Sequence, residues 1–446
     1  MKKALLLAAP ALLALAACNA DQTGGADAGQ GADADTAQVD GSDGADSMAS
    51  NDPAEGEEAQ VAIPDSEERP MMQKQVVLDR LGFTPGVVDG KMGMSTENAI
   101  KGFQEANDLE ITGKLDEKTE TALAEWDRIP ATRVVTIPAS FAGDGFEAIP
   151  EDPAEKAKME RLGYTSLDEK LAERFHTTVE TLKMLNPNGK PAGWTEANAG
   201  SGDGGATMKK AAATEDASGS PYRPLPEEDR ADTASAKSDK QADKNNGESK
   251  DASDKKADSD KAKAPKSYFA AGQQIRVPNI GADKIAPGSV EDNDWLSTLR
   301  MLGVGTEQPK AARVVVDESD GTLKAFDADD KLIAMFTATM GSEHDPLPLG
   351  DWKIQGVAHN PPFAYNPELF WDVPDDQEKQ MMPPGPNGPV GVVWIDLSKE
   401  HYGIHGTPEP QTIGRVQSHG CIRLTNWDAA RLAQMVSTST KAVFQA

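Results

Sequence analysis

The stretch YGIHGTPEPQTIGRVQSHGCIRLTN, residues 402–426, contains the residues that say most about this chain. It places His405 a short loop before Cys421. A thiol attacks a carbonyl as the thiolate, so it needs an imidazole or a positive field that lowers its pKa. A strand that ends at His405 can bring the imidazole within hydrogen-bonding reach of the sulfur. Backbone N–H groups around Gly420 and Cys421 can then stabilise an oxyanion, so the stretch predicts a site for acyl transfer.

The residues around this stretch predict a domain rich in β-structure. Arg313–Asp317 and Thr322–Phe326 flank an Asp-Gly pair, which is a strong signal for a hairpin. Further strands are predicted at 331–339, 391–397, 402–405 and 442–444. A helix near the end is predicted to begin at Thr425, because Thr425 and Asp428 have the spacing of a capping box.

Residues 311–446 resemble the catalytic domain of the L,D-transpeptidases of the YkuD type. The resemblance lies in YGIHGT, in SHGCIRLTN and in the proline-rich loop NPPFAYNPELF…PPGPNGPVG. It implies a mixed β-sandwich in which Cys421 is the nucleophile and His405 is the proton donor and acceptor, without a metal or another cofactor. One departure is the turn MGSEHDPLPLGDW at 340–352, where many relatives have a threonine-proline-threonine-glycine type of turn.

The same resemblance assigns roles to the residues around this pair. Support of the nucleophile loop and of the oxyanion site is assigned to Gly420, His419, Ser418 and Gly406. The backbone of Gly406 is expected to orient the imidazole. Tyr402 and Arg423 are assigned to substrate binding. For Arg423, a contact with a stem-peptide carboxylate and a structural salt bridge are equal alternatives.

The implied reaction is a two-step acyl transfer on peptidoglycan. Cys421 attacks the carbonyl at the L-centre of diaminopimelate in a tetrapeptide stem and expels D-Ala. The amine of another diaminopimelate then attacks the thioester and forms a 3→3 cross-link, with His405 moving the protons. Water as the acceptor would make the protein an L,D-carboxypeptidase. A lysine of an envelope protein as the acceptor would make it a protein-to-wall ligase.

Two alternatives lie outside this chemistry. The first is a zinc site, since four nearby residues are of types that bind zinc: His401, His405, His419 and Cys421. A non-enzymatic alternative is a wall-anchoring module whose catalytic domain is inactive.

Residues 71–127 carry a separate helical pattern. Apolar residues recur there at helical spacing in three runs, with Ser95 and Asp116 placed to cap the second and third helices. The sequence LDRLGFTPGVVDGKMGMSTENAIKGFQEANDLEITGKLDEKTETAL resembles a helical peptidoglycan-binding domain. Peptidoglycan stem peptides and glycan are therefore the expected partners.

Residues 160–280 resemble an interrupted LysM module. The run KLAERFHTTVETLKMLNPN at 170–188 is similar to its two helices, and 269–279 is similar to its closing strand. The usual opening strand and Gly-Asp-Thr-Leu turn are missing and are replaced by GYTSLDE. Residues 189–266 are rich in Lys, Asp, Ser and Ala, and we expect them to form a disordered insertion.

The N-terminus predicts export. Two lysines precede an apolar run in residues 1–17, which is the layout of a signal peptide. Its end, Leu-Ala-Ala-Cys18, resembles a lipobox and predicts a lipid on Cys18; the alternative is an ordinary signal with a chance cysteine. We expect a periplasmic protein held at a membrane by this lipid, with the outer membrane as one destination. Cys421 is then the one remaining thiol of the two in the chain.

Residues 18–70 form an acidic tract that is rich in Gly, Ala and Asp. Such a composition buries too little apolar surface to fold, so we expect a disordered tether between the lipid and the domains. The formal net charge of the chain is −28, and the tract contributes much of it. Phosphates would be repelled by this charge, so no nucleic-acid partner is expected.

Overall fold

The computed structural model describes residues 63–143, 145–196, 198, 265–281, 283–370, 373 and 377–446. The expected signal peptide, the lipidated Cys18 and most of the acidic tether lie outside these residues. Most of the expected insertion at 189–266 lies outside them as well. Within the described ranges, no helix has both the length and the apolar character needed to cross a membrane.

The N-terminal module (70–126) is helical, as its sequence pattern predicts. Its elements are α1 (Pro70–Arg80), β1 (Phe83–Thr84), α2 (Met94–Ala106) and α3 (Glu117–Leu123). The carboxylate of Asp116 accepts a hydrogen bond from the backbone N–H of Thr119, which confirms the predicted cap of α3. The predicted cap at Ser95 was wrong, because the extended residue Gly93 precedes the first turn of α2 and Ser95 lies inside the helix.

The described part of the central module (132–196 and 265–281) has a short helix and two longer helices beside a two-stranded sheet. Its elements are β2 (Thr132–Thr136), α4 (Pro153–Lys156), α5 (Leu167–Arg174), α6 (Val179–Leu185) and β3 (Gln274–Pro278). Strands β2 and β3 are antiparallel, with Val134 opposite Arg276. The strand that pairs with the predicted closing strand is therefore β2, which lies upstream of residue 160 and not in GYTSLDE. Apolar residues of both strands and both longer helices form one core around Leu171 and Phe175.

The C-terminal module (293–445) contains most of the β-structure. Its elements are α7 (Asn293–Leu302), β4 (Arg313–Asp317), β5 (Thr322–Phe326), β6 (Leu332–Thr337), β7 (Thr339–Met340), β8 (Gly350–His359), β9 (Phe363–Tyr365), β10 (Gln380–Met382), β11 (Val393–Leu397), β12 (Gly403–His405), β13 (Ile422–Arg423), α8 (Asn426–Met435) and β14 (Lys441–Gln445). The predicted β4–β5 hairpin is confirmed. Thr425 caps α8 by accepting a hydrogen bond from the N–H of Asp428, as predicted. Helix α7 and strands β8, β9, β10 and β13 were not predicted.

Ten strands form one mixed sheet in the order β1-β6-β5-β4-β14-β8-β11-β12-β13-β7. Strands β6 and β7 are separated in sequence by Ala338 alone, yet they lie near opposite ends of this order. The sheet therefore has to bend back on itself. Its buried face and helices α7 and α8 enclose a core that includes Trp295, Phe336 and Trp427.

The N-terminal module is joined to the C-terminal module through this sheet. Strand β1 pairs in parallel with β6, so that Phe83 lies opposite Met335 and Thr84 opposite Phe336. The hydroxyl of Thr84 also donates a hydrogen bond to the carboxylate of Asp428 at the start of α8. The helical module thus supplies an edge strand to the sheet of the β-rich domain.

Candidate active site

His405 and Cys421 lie on neighbouring parallel strands. Strands β12 and β13 pair so that His405 is opposite Arg423, and Cys421 comes directly before β13. Side chains alternate between the two faces of a strand, so His405, Arg423 and Cys421 point to the same face. The backbone N–H of Gly403 donates a hydrogen bond to the sulfur of Cys421. The pairing therefore places the predicted base on β12 and the predicted nucleophile next to the adjacent strand β13.

The imidazole of His405 is buried and has one fixed hydrogen bond. Its Nδ1 lies 2.7 Å from the carbonyl oxygen of Gly406. A carbonyl oxygen can only accept, so Nδ1 carries the proton and Nε2 keeps a free lone pair. Burial, followed by the charge of Arg423, lowers the pKa of His405 to about 4, against the opposing effect of the Gly406 bond. The imidazole is therefore neutral at neutral pH, with Nε2 able to accept a proton.

The thiol of Cys421 is only partly covered and donates a hydrogen bond to the carbonyl oxygen of His401 at 3.6 Å. Burial raises its pKa above the ordinary value, although the Gly403 N–H and the charge of Arg423 act in the opposite direction. The groups that the sequence analysis requires to lower the thiol pKa are thus present, but burial outweighs them. The nearby cation is Arg423, which disfavours an imidazolium at His405 and favours a thiolate at Cys421. The resting pair is a neutral thiol beside a neutral imidazole.

The ring of Tyr402 fills the space that a side chain at position 420 would need. The backbone of Gly420 has φ +93°, and a Cβ at this position would lie 2.5 Å from the ring of Tyr402. Burial raises the pKa of Tyr402, and the nearby Asp345 and Cys421 raise it further. Asp345 belongs to the turn at 340–352 in which this sequence departs from many relatives. That turn therefore borders the site on the side of Tyr402.

Ser418 and His419 hold the loop that carries the nucleophile. The hydroxyl of Ser418 donates to the carbonyl of Cys421 at 2.6 Å, and its N–H donates to the carbonyl of Gly341 at 3.0 Å. The ring of His419 meets the ring of Phe370 edge to face, with centroids 4.9 Å apart. Ser418 thus stabilises the nucleophile loop by a hydrogen bond within it, while His419 contacts the proline-rich loop.

Two residues at the site were missed by the sequence analysis. The indole of Trp394 on β11 stacks on His405, with centroids 5.5 Å apart and the planes inclined by 21°. Asn426 lies against the backbone of Gly406, where a Cβ would come within 2.2 Å of its Oδ1. The register between β11 and β12, which places Trp394 opposite His405, would have identified the first. No local pattern indicated the second.

The residues of the zinc alternative do not form a ligand set in the part of the chain that the structure describes. No group of three or more His, Cys, Asp or Glu side chains is arranged there to hold a metal ion. His401 lies at the surface, where its Nε2 is 3.5 Å from a carboxylate oxygen of Glu400.

Comparisons with known families match two parts of the sequence. The YkuD model, described as "L,D-transpeptidase catalytic domain", matches residues 311–444. By this match, residues 311–444 form a domain of the YkuD type. A second model, described as "Putative peptidoglycan binding domain", matches residues 69–123, which include all three helices of the N-terminal module. Both resemblances found in the sequence are thereby confirmed at the level of these two domains.

Individual relatives share shorter or weaker similarity. "Putative L,D-transpeptidase YkuD" of Bacillus licheniformis is 52% identical over 58 residues, which are 13% of this chain and 35% of the relative. This chain therefore spans about a third of the length of that relative. "Putative L,D-transpeptidase in ATP synthase subunits region ORF 5" of Fuscovulum blasticum is 27% identical over 39% of this chain and 89% of its own length. The solved L,D-transpeptidase from Mycobacterium smegmatis aligns at 23% identity over 30% of this chain and 58% of its own, with a TM-score of 0.25.

Proposed function

We propose that this protein is a peptidoglycan L,D-transpeptidase that forms 3→3 cross-links between diaminopimelate residues through a thioester on Cys421. The observation that carries the proposal is the arrangement of β12 and β13. It places the thiol and the imidazole on one face of the sheet, with the imidazole held by Gly406 in the tautomer that can accept a proton at Nε2.

The neutral resting pair defines how the first step proceeds. His405 Nε2 takes the thiol proton as the sulfur adds to the diaminopimelate carbonyl, so attack and proton transfer occur together. Burial and the charge of Arg423 make the resulting imidazolium more acidic than an ordinary one. It therefore gives its proton to the amine of the leaving D-Ala. The C–N bond breaks, D-Ala departs and the thioester remains on Cys421.

The second step uses the same groups in the reverse direction. The acceptor amine of another stem peptide adds to the thioester carbonyl and gives its proton to His405 Nε2. The C–S bond breaks, and the departing sulfur takes the proton back from the imidazolium. A new amide bond joins the two stems, and the site returns to its neutral resting state without any other reactant.

The remaining parts of the chain are proposed to keep the enzyme at the wall. The peptidoglycan-binding domain and the LysM-like central module would contact glycan or stem peptides. A signal peptide at 1–17 and a lipid on Cys18 would place the protein in the periplasm at a membrane. Substitution of Cys18 by Ala is expected to release a soluble periplasmic form, and continued recovery in the membrane fraction would rule out the lipid as the anchor.

The deciding experiment is mass spectrometry of the products from purified full-length protein and tetrapeptide muropeptides. We expect 3→3 dimers from the wild type and none from Cys421→Ala or His405→Asn. His401→Asn is the matched control, because His401 contacts the thiol through its backbone and asparagine tolerates its φ of +67°. Tripeptide products without dimers would point to a carboxypeptidase, and peptides joined to an added envelope protein would point to a ligase. Dimers formed by Cys421→Ala would end the proposal.

A further inference from the structure

We infer that Asn426 and Glu173 are positioning residues for His405, so that the base of the C-terminal module is set in place by a side chain of the central module. This inference rests on the proposed role of His405 as a base. It concerns residues to which neither the sequence pattern nor the matched domain assigns a role.

The first link joins His405 to Asn426 through Gly406. The carbonyl of Gly406 is the acceptor that orients His405 Nδ1, at 2.7 Å. Asn426 is fully buried, and its Oδ1 fills the space that a side chain on Gly406 or on Gly391 would need, within 2.2 and 1.9 Å of the two Cβ positions. The Asn426 amide therefore lies directly against the backbone whose carbonyl holds the imidazole. A shift of that amide would move the carbonyl with it.

The second link fixes which way the Asn426 amide faces. Its Oδ1 accepts a hydrogen bond from the N–H of Val392 at 3.2 Å. Its Nδ2 donates to Oε1 of Glu173 at 2.7 Å and to the carbonyl of Pro386 at 3.1 Å. A flip of the amide would turn its oxygen towards two acceptors and its NH₂ group towards a donor, so only one orientation is compatible with these partners. The hydrogen bond to Glu173 is the shortest of the three.

Glu173 reaches this position from outside the β-rich domain. It lies on α5 of the central module, 253 residues before Asn426. Its second carboxyl oxygen accepts a hydrogen bond from the hydroxyl of Tyr164, which also belongs to the central module. The carboxyl group is therefore held from both sides, and the hydrogen bond to Asn426 crosses the interface between modules.

Burial of the Glu173 carboxyl group lowers the stability of the fold. Burial raises the pKa of Glu173 to about 7, although the hydrogen bonds from Tyr164 and Asn426 favour ionisation; the nearby Glu169 raises the pKa further. An apolar side chain would avoid this cost, since burial of a polar group is offset only in part by its hydrogen bonds. Oε1 can accept from Asn426 whether the group is charged or neutral, so the orientation of the amide does not depend on its titration.

The test measures the reactivity of Cys421 in the full-length protein without any peptidoglycan. The rate of alkylation by iodoacetamide is followed between pH 4 and pH 9 by mass spectrometry of the peptide that carries Cys421. Glu173→Leu removes the acceptor from Asn426, whereas Glu173→Gln keeps it. Glu169→Leu is the matched control, because Glu169 is also on α5 and accepts a hydrogen bond at 2.7 Å from Asn387 of the proline-rich loop but does not contact Asn426.

We expect alkylation of Glu173→Leu at pH 7 to fall about tenfold, with a displaced pH profile, because a small misplacement of a base costs one to two orders of magnitude. Glu173→Gln is expected to stay within about twofold of the wild type, and Glu169→Leu likewise. Thermal unfolding of each variant shows whether it is folded. If Glu173→Leu does not fold, Asn426→Ser takes its place with the same expected result.

Two outcomes would overturn the inference. One is a folded Glu173→Leu whose alkylation profile matches that of Glu169→Leu at every pH. The other is a loss of reactivity in Glu173→Gln as large as that in Glu173→Leu. Failure of the proposed function would look different, since the wild type would then form no cross-links while the alkylation pattern of the variants remained as expected.

Discussion

The guanidinium of Arg431 donates to both carboxylate oxygens of Asp79, at 3.2 and 3.1 Å. Arg431 is on α8 and Asp79 is on α1, and both side chains are buried. His176 of the central module contacts the same carboxylate, with its Nδ1 3.2 Å from Oδ1. Burial opposes ionisation of Asp79, but Arg431 and His176 hold its pKa well below the ordinary value. The three modules thus meet at one buried, ionised carboxylate.

Removal of this carboxylate is expected to destabilise the whole fold. Asp79→Ala leaves the charge of Arg431 buried without its main partner, which costs about 3–5 kcal/mol of unfolding free energy. Urea denaturation followed by circular dichroism measures the loss. Lys74→Ala on the same helix is the control, because Lys74 pairs with the exposed carboxylate of Asp127 and such pairs contribute less than about 1 kcal/mol. Equal losses in the two variants would contradict a buried ion pair that joins the modules.

The buried carboxyl group of Glu173 is expected to make stability depend on pH. Its pKa in the fold is about 7, which is above the ordinary value of 4.5. The contribution of this carboxyl group to the unfolding free energy is therefore fully present below about pH 4 and is lost as the pH rises through about 7. Glu173→Gln does not titrate, so its unfolding free energy relative to the wild type should rise by about 3 kcal/mol between pH 4 and pH 8. Urea denaturation at several pH values tests this, and a constant difference would exclude it.

Arg423 is expected to set the pH range in which the site reacts. Its charge lowers the pKa of His405 and also lowers that of Cys421. In Arg423→Gln the pKa of His405 should return towards the ordinary value and that of the thiol should rise further. Both limbs of the alkylation profile of Cys421 should then move to higher pH, by about one pH unit.

Arg415→Gln is the control for that measurement, because Arg415 lies exposed in the loop between His405 and Cys421. We expect its profile to coincide with that of the wild type. If Arg423→Gln also leaves both limbs in place while substrate turnover falls, Arg423 acts on the substrate and not on the two ionisations.

A side chain at Gly420 is expected to disable the nucleophile loop. Gly420→Ala brings both a strained φ of +93° and an overlap with the ring of Tyr402. The loop has to move, and Cys421 moves with it, so cross-linking should fall by about two orders of magnitude. Gly272→Ala isolates the effect of strain, since its φ is +76° and nothing lies within 4 Å of the added Cβ. That variant should lose about 1 kcal/mol of stability and keep full activity.

Local signals in the sequence were sufficient to predict several helices and strands. The Asp-Gly pair predicts the β4–β5 hairpin with the bounds that the structure has, because it marks a short loop, residues 318–321, between two runs of strand-forming residues. Thr425 and Asp116 were predicted as helix caps for the same reason, since a cap acts over three residues. Strand β1 could not be found in this way. It has two residues, and its partner β6 begins at Leu332.

The sequence by itself was sufficient to identify the two kinds of domain and to predict that His405 acts with Cys421, because the YGIHGT and SHGC motifs lie close together in the chain. Only the tertiary structure decided the protonation of that pair and the residues that hold it. Burial and the position of Arg423 set the two pKa values, and burial is a property of the packed fold. The contacts of Glu173 with Asn426 and of Asp79 with Arg431 join residues 253 and 352 positions apart, and no local pattern in the chain encodes such distances.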